Sequence, residues 1–279
     1  MIELTSVHDV TCAKGIVSYG DVKMNIYAYL IDALLIDSGP ASLLKDFIPF
    51  FEKEDIQQAA MTHYHEDHTG GGRFLSENKH IPVFIHPMSM GICSENAEYL
   101  PYRHQLWGDR EGFQAKPLEA ELHSENYSWE VLHTPGHSKD HMVFLNREKG
   151  MLFSGDLYVS QKTRLILKEE SIPDIIQSIK HVLRHDFEEV FCGHAGYVRH
   201  GKKMFQKKLD YLETLEGDIL YHSSKGLSEE EIHSLLFSKK YPLIEISQHE
   251  WDTMHIVSSV IRDRYDTGSS KEKKRADIN

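Results

Sequence analysis

His63-Tyr64-His65-Glu66-Asp67-His68 sets four potential metal ligands within six residues, directly after the apolar run Ala59-Ala60-Met61. The stretch has the form HxHxDH. Histidine is common in this chain, 19 in 279 residues, so density alone proves little. Even at that frequency an HxHxDH match arises by chance in about one sequence in two hundred, and accident is a poor explanation. In an extended segment residues i and i+2 point the same way, so His63 and His65 can converge on one ion. Asp67 and His68 fall where the chain turns and can face a second ion close by.

The flanking segments alternate strand and helix. From Glu3 to Asp37, short apolar runs broken by Gly and Asp read as strands closed by turns, with Asp32-Ala33 at a hairpin tip. Ala41 to Glu54 carries Leu43, Leu44, Phe47, Ile48 and Phe51 at a helical period. Ala59 to Thr62 is a strand leading into the histidines, and Val83-Phe84-Ile85 is another. Strands resume at Trp129 to His133, Met142 to Asn146, Met151 to Phe153 and Glu189 to Cys192. Ser171-Ile172-Pro173-Asp174 caps a helix running to about Arg184. The pattern is that of an α/β protein. Met88 to Asn126 is the least regular segment and the richest in aromatics, and reads as a lid over a pocket. From Lys202 the chain reads as helical: Lys202 to His222, Ser228 to Ser238 and Gln248 to Arg264.

Composition narrows the function. With 43 acidic and 31 basic residues the formal charge is -12, which disfavours a polyanion-binding surface unless bound cations or a local basic patch reverse the sign. Met1 to His8 has neither a basic nor an apolar leader region, and no run is long enough to cross a bilayer. Cys12, Cys93 and Cys192 are widely spaced and form no CxxC, so they read as reduced thiols. A cytoplasmic location follows, with no membrane partner. The sequence carries no signal for an oligomeric state.

Three further residues are placed to complete metal sites. His137 lies in Thr134-Pro135-Gly136-His137, Asp156 in Ser154-Gly155-Asp156 and His194 in Cys192-Gly193-His194. Each sits in a loop directly after a strand and beside Gly, which lets the backbone approach an ion closely.

The set HxHxDH, TPGH, SGD and GH, in this order with intervals of 69, 19 and 38 residues, resembles the metallo-β-lactamase superfamily. The resemblance covers about residues 1 to 200. It implies an αββα sandwich with the site at one edge of two facing sheets, residues 1–201 as the catalytic domain and 202–265 as a small helical, winged-helix-like appendage. Residues 266–279 have no large apolar residue except Ile278 and read as a disordered tail. By motif match, His63, His65 and His137 are ligands of a first metal, Asp67, His68 and His194 of a second, and Asp156 bridges them. Asp37 resembles the family's early Asp and would orient a ligand from behind. These donors suit two zinc ions, and serve iron or manganese too.

Two divalent ions, two carboxylates and a bridging hydroxide sum to about +1, a site that favours an anionic tetrahedral transition state. Metal-lowered water acidity makes hydroxide available near neutral pH without a Ser or Cys nucleophile, and Asp67 can help guide its proton. The expectation is a hydrolase acting on an ester, thioester or lactone of an intracellular small molecule. A single-strand endoribonuclease or other phosphodiesterase of the same superfamily is the alternative, disfavoured by acidic charge and by the absence of an aromatic-basic pattern in the sequence. A mononuclear iron, persulfide dioxygenase-like oxidoreductase is a minor one. His133 and His141 read as structural, and His86 and His104 as surface residues. Tyr158, two after Asp156, resembles the Tyr by which some lactonases of this family offer a phenol to an oxyanion, although theirs stands one residue later. Lys202, Lys203, Lys207 and Lys208 read as a solvated helix face.

Overall fold

The computed structural model describes residues 1–263. Strands β1 (Glu3–Val7), β2 (Val10–Tyr19), β3 (Val22–Ile31), β4 (Leu34–Ile36), β5 (Gln58–Ala60), β6 (Val83–Ile85) and β7 (Lys116–Pro117) pair in that order in a seven-stranded sheet. β1 to β4 form an antiparallel meander, and β4 to β7 run parallel. Asp32 and Ala33 sit at φ 52° and 59°, the left-handed pair that a two-residue hairpin turn requires. A parallel pair needs a crossover, and helix α1 (Leu44–Lys53) supplies it between β4 and β5. Three short helices follow: α2 (Glu66–Thr69), α3 (Met90–Ser94) and α4 (Pro101–Trp107).

The second sheet contains β8 (Glu121–His123), β9 (Ser128–His133), β10 (Met142–Asn146) and β11 (Met151–Gly155). After β12 (Ile166–Leu167), which lies outside it, β13 (Glu189–Cys192) and β14 (Gly196–Val198) complete the order β14-β13-β11-β10-β9-β8. α5 (Ile172–Val182) is the crossover between parallel β11 and β13, capped by Ser171, whose hydroxyl accepts from the Asp174 amide at 3.3 Å.

Period-two alternation decides which side chains meet. Tyr29, Ile31 and Ile36 of the first sheet face Trp129, Val131, Phe144, Phe153 and Phe191 of the second. Their alternates, Ala28, Leu30 and Leu35, turn outward onto Phe47, Phe50 and Phe51 of α1. Val143, Leu145, Leu152 and Val190 turn outward on the other side, onto Ile175, Ile176 and Ile179 of α5 and the following helices. Each such large side chain contributes about 1.5–3 kcal/mol by its burial. The layers are helix, sheet, sheet, helix, as the αββα expectation had it.

The C-terminal helices α6 (Gly201–Ser224), α7 (Glu229–Leu236) and α8 (Pro242–Ile246) follow, with Ser228 and Glu231 forming the capping box of α7. Phe205, Leu212, Ile219 and Ile232 join the same core as α5. One helix from Gln248 to Arg264 is not what forms. Gln248 and His249 adopt φ 53° and 63°, and β15 (Trp251–Asp252) pairs with β12. Helix resumes only over residues 254–263, where the Asp252 carboxylate accepts from the Met254 amide at 3.0 Å. Lys208 also departs from expectation: it is buried, and its ammonium donates to the Tyr158 carbonyl at 2.6 Å. Its α6 face packs on the sheet rather than facing water. Among the described residues no helix is long and apolar enough to cross a membrane. The expected tail, 266–279, lies outside the described residues, as do 264 and 265.

The sheets are tied together at one edge. The Met142 amide donates to the Thr62 carbonyl at 2.8 Å, and the Tyr27 amide to that of Gly193 at 2.9 Å. The ends of β4, β5, β9, β11 and β13 all open there.

Candidate metal centre

All seven residues singled out as ligands converge on this edge. His63 and His65 leave β5, and Asp67 and His68 lie in the first turn of α2. His137 follows β9, Asp156 follows β11 and His194 follows β13. Donor atoms of His63, His65 and His137 lie within 4.8 Å of one another, as do those of Asp67, His68 and His194, and those of His63, His68 and Asp156. His63 Nε2 and His137 Nε2 each approach His65 Nδ1 to 3.0 Å. Asp156 reaches both groups: its Oδ2 is 3.5 Å from His137 Nε2 and 3.0 Å from His194 Nε2, and its Oδ1 is 3.5 Å from His68 Nε2. Asp67 Oδ2 is 3.3 Å from His194 Nε2.

The outer nitrogen of each imidazole faces an acceptor. His68 Nδ1 donates to Asp37 Oδ2 at 2.8 Å, His137 Nδ1 to Glu170 at 3.1 Å and His65 Nε2 to Glu169 at 3.1 Å. His194 Nδ1 donates to the Asn25 carbonyl at 2.8 Å. The Thr62 hydroxyl gives its one proton to Asp37, at 3.0 Å, so at His63 Nδ1, also 3.0 Å away, it can only accept. A neutral imidazole has one N–H, so in the neutral form all five inner nitrogens carry lone pairs; those of His63, His65 and His137 point at one another, and those of His68 and His194 at the carboxylates of Asp67 and Asp156. Two acceptors 3.0 Å apart are not a hydrogen bond. They need a cation between them.

The buried His68 Nε2 and Asp156 Oδ1 atoms accordingly have no hydrogen-bond partner, which is costly unless an ion satisfies them. The electrostatics agree. Burial alone would push His68 and His194 down, but the adjacent carboxylates overcome it and hold both well above the ordinary histidine range. Burial would raise Asp156, but His194 and His68 hold it well below the usual carboxylate range. Without a metal, protons supply the positive charge the cluster demands. The donor set therefore fits divalent cations.

The other expectations resolve individually. Asp37 does sit behind a donor, at φ 58°, accepting from His68, from the Thr62 hydroxyl and from the Thr62 amide at 2.8 Å. His141 is buried and structural: its Nε2 accepts from the Asp156 amide at 2.9 Å, and its Nδ1 donates to Thr134. His133 is exposed and bonds the Lys139 carbonyl at 2.8 Å. His104 pairs with Asp109 on the surface, and His86 packs against His133. Tyr158 is not at the site. Its ring is buried against Phe205 of α6, because the chain reverses after Asp156 and turns that side chain into the outer core.

Several contributors carry no sequence signal. Glu169 and Glu170 read as an ordinary acidic pair ahead of a capped helix, yet they hold the outer nitrogens of His65 and His137. Exchanging either for Gln is expected to weaken divalent-metal affinity about 10- to 100-fold, measured by competition with a chelating dye. Glu66 is not a donor but is buried in an ion pair with Arg103 Nη1 at 2.9 Å, and Arg103 Nε meets Glu250 at 2.9 Å. Gly193 is needed for space. A Cβ there would lie 2.6 Å from the His68 ring and 2.7 Å from Asp156 Oδ1. Gly193→Ala is expected to displace both donors and lower metal stoichiometry, read by elemental analysis, with little change in helix content.

The donors open into a cavity of about 30 Å³ walled by Met24, Trp107, Leu167 and Trp251. A larger cavity of about 1310 Å³ adjoins it, sharing Glu66, Arg103 and Leu167 as walls. Ile92, Tyr99, Leu100 and Phe113 line the far side, so the segment read as a lid does wall a pocket.

Comparison with known proteins agrees with the geometry. Residues 23–223 match the family model of the metallo-β-lactamase superfamily. The chain is 26% identical over 193 residues to an atrochrysone carboxyl ACP thioesterase of Aspergillus fumigatus, covering 68% of this chain and 55% of the relative. It is 30% identical over 164 residues to a hydroxyacylglutathione hydrolase of Idiomarina loihiensis, covering 58% and 55%. The chain spans about half the length of the curated relatives it matches, 47% to 55% for three of them. A metallo-β-lactamase family protein from Thermus thermophilus superposes with a TM-score of 0.62 at 16% identity, over 91% of each chain. Fold, donor geometry and family match coincide, and the chain belongs to the metallo-β-lactamase superfamily.

Proposed function

We propose that this chain is a metal-dependent hydrolase that cleaves an ester-like bond, a thioester foremost, in an intracellular small molecule. The observation that carries the reading is the convergence of five imidazole lone pairs and two carboxylates on one buried space. Two divalent ions, zinc first and iron or manganese through the same donors, would supply acidified water and a positive field for an anionic transition state. His63, His65 and His137 would hold one, Asp67, His68 and His194 the other, and Asp156 would touch both.

The residues lining the metal cavity include no Ser, Thr or Cys, so the chain offers no hydroxyl or thiol nucleophile there, and water would take that part. Asp67, at the rim between His68 and His194, is the carboxylate placed to take a proton. The adjoining cavity offers Tyr64, Tyr99, Leu100 and Phe113 to an acyl group. The relatives named as an ACP thioesterase and a hydroxyacylglutathione hydrolase support a thioester.

A panel of thioester, lactone, phosphodiester and single-stranded RNA substrates tests the reading, with His65→Ala as control. Thioester or lactone turnover that the variant loses supports it. Turnover undiminished in His65→Ala would remove the site assignment, and RNA cleavage without ester turnover would replace the reading with a nuclease.

A further inference from the structure

A second cavity, of about 610 Å³, lies among the C-terminal helices and has no part in the metal site. Its walls come from residues 160–164, from α6 and from the connection between α7 and α8. Lys162 and Arg164 stand on one lip and Lys239 on the other, with the rings of Tyr211, Phe237 and Tyr241 half-buried between them. One carboxylate, Asp218, lines it. The sequence holds these residues in three distant segments, which is why no aromatic-basic pattern shows in it.

The make-up of the cleft walls is what points to a ligand: three cations against one carboxylate, with three rings between them. In a chain of net charge -12, some exposed cations sit beside acidic partners, as Arg73 does with Glu77 and Lys149 with Asp9, and others do not. Among the described residues, Lys162, Arg164 and Lys239 form no ion pair, yet they surround one hollow. Three like charges gathered around a single carboxylate repel, and a bound anion relieves that. The lips are also held in place. The Tyr211 hydroxyl donates to the Thr163 carbonyl at 3.2 Å, pinning the loop to α6, and the Ser160 hydroxyl to the Lys162 carbonyl at 2.8 Å.

We propose that this cleft binds a phosphorylated nucleotide unit. Arg164 offers a planar fork to phosphate and the two lysines add point charges. The three rings offer faces for a base to stack on, and Lys239 Nζ already lies 5.2 Å from the Tyr241 ring centre. The volume falls in the range of about 300–1,000 Å³ typical of small-ligand pockets. A simple anion site would need no aromatic walls, and an apolar site no cations. The loop bearing two of the cations begins at Asp156 and ends at β12, whose Leu167 lines the metal cavity, so cleft and metal centre share one loop. The same unit can come from a free nucleotide-bearing small molecule or from single-stranded RNA.

Titration calorimetry with ADP, and anisotropy with a short labelled single-stranded RNA, test this by binding alone, independently of turnover. The expected result is ADP binding that weakens about tenfold or more in Lys162→Glu/Arg164→Glu and in Lys239→Glu, and weakens with added salt. His63→Ala, which damages the metal site, is expected to leave it unchanged. RNA binding no tighter than that of ADP marks a small-molecule ligand. RNA binding far tighter, through the same three cations, marks a strand. The proposal is overturned if wild-type protein binds neither probe at millimolar concentration. It is also overturned if the charge-reversal variants bind as the wild type does, or if His63→Ala abolishes binding. The three cations are exposed, so the variants keep the fold, which circular dichroism verifies.

Discussion

Asp156→Ala is expected to lower kcat/KM on the best ester substrate by about three orders of magnitude or more. Removing a group that merely supports a ligand costs about 10- to 100-fold, and Asp156 stands closer to the chemistry than that. Among the described residues it is Asp156 that pairs with His137 on one side and with His68 and His194 on the other. Its loss leaves three lone-pair nitrogens without a shared anion, so both groups weaken together. Asp156→Asn keeps the shape and one oxygen but removes the charge, and is expected to fall between Ala and wild type. Steady-state kinetics with metal content measured on the same samples checks this. Activity within tenfold of wild type at full metal loading would refute the role.

Arg103→Ala is expected to cost about 3–5 kcal/mol of folding stability, the usual loss when one partner of a buried ion pair is removed. Arg103 is only 8% exposed and Glu66 6%. Burial works against the guanidinium charge, but Glu66, Tyr102 and Glu250 outweigh it and hold the group firmly protonated. The network joins three distant segments: the metal motif through Glu66, the lid through Arg103 and Tyr102, and the C-terminal region through Glu250. Truncation would strand Glu66 beside the metal donors. Urea unfolding is the measurement, and the double variant Glu66→Gln/Arg103→Ala should lose less than the sum of the singles. A loss below about 1 kcal/mol, the value of a surface pair, would contradict a buried network.

Much of the site was legible because its donors are local in sequence. HxHxDH occupies six residues, and His137, Asp156 and His194 each announce themselves by a strand followed by Gly. β6, β10 and β13 are apolar runs bounded by turn residues, and their limits match the pattern. What stayed hidden depends on contacts distant in the chain. Glu169, Glu170 and the Asn25 carbonyl gain their roles only when α5 and β3 are brought beside the histidines. Tyr158 and Lys208 misled for a related reason: proximity to Asp156 along the chain, or membership in a run of lysines, says nothing about which way a side chain turns. The helix expected from Gln248 lost its first residues to a pairing with Ile166-Leu167 that periodicity cannot foresee.

Inward lone pairs and two carboxylates make a site for divalent cations. Protein stripped with a chelator, dialysed and titrated with zinc, with stoichiometry read by calorimetry and native mass spectrometry, tests it most directly. Two ions per chain are expected, with binding that strengthens as pH rises because the ions displace protons from the imidazoles, and with loss of at least one ion in His63→Ala. Failure to bind zinc stoichiometrically, or unchanged stoichiometry in His63→Ala, would contradict it.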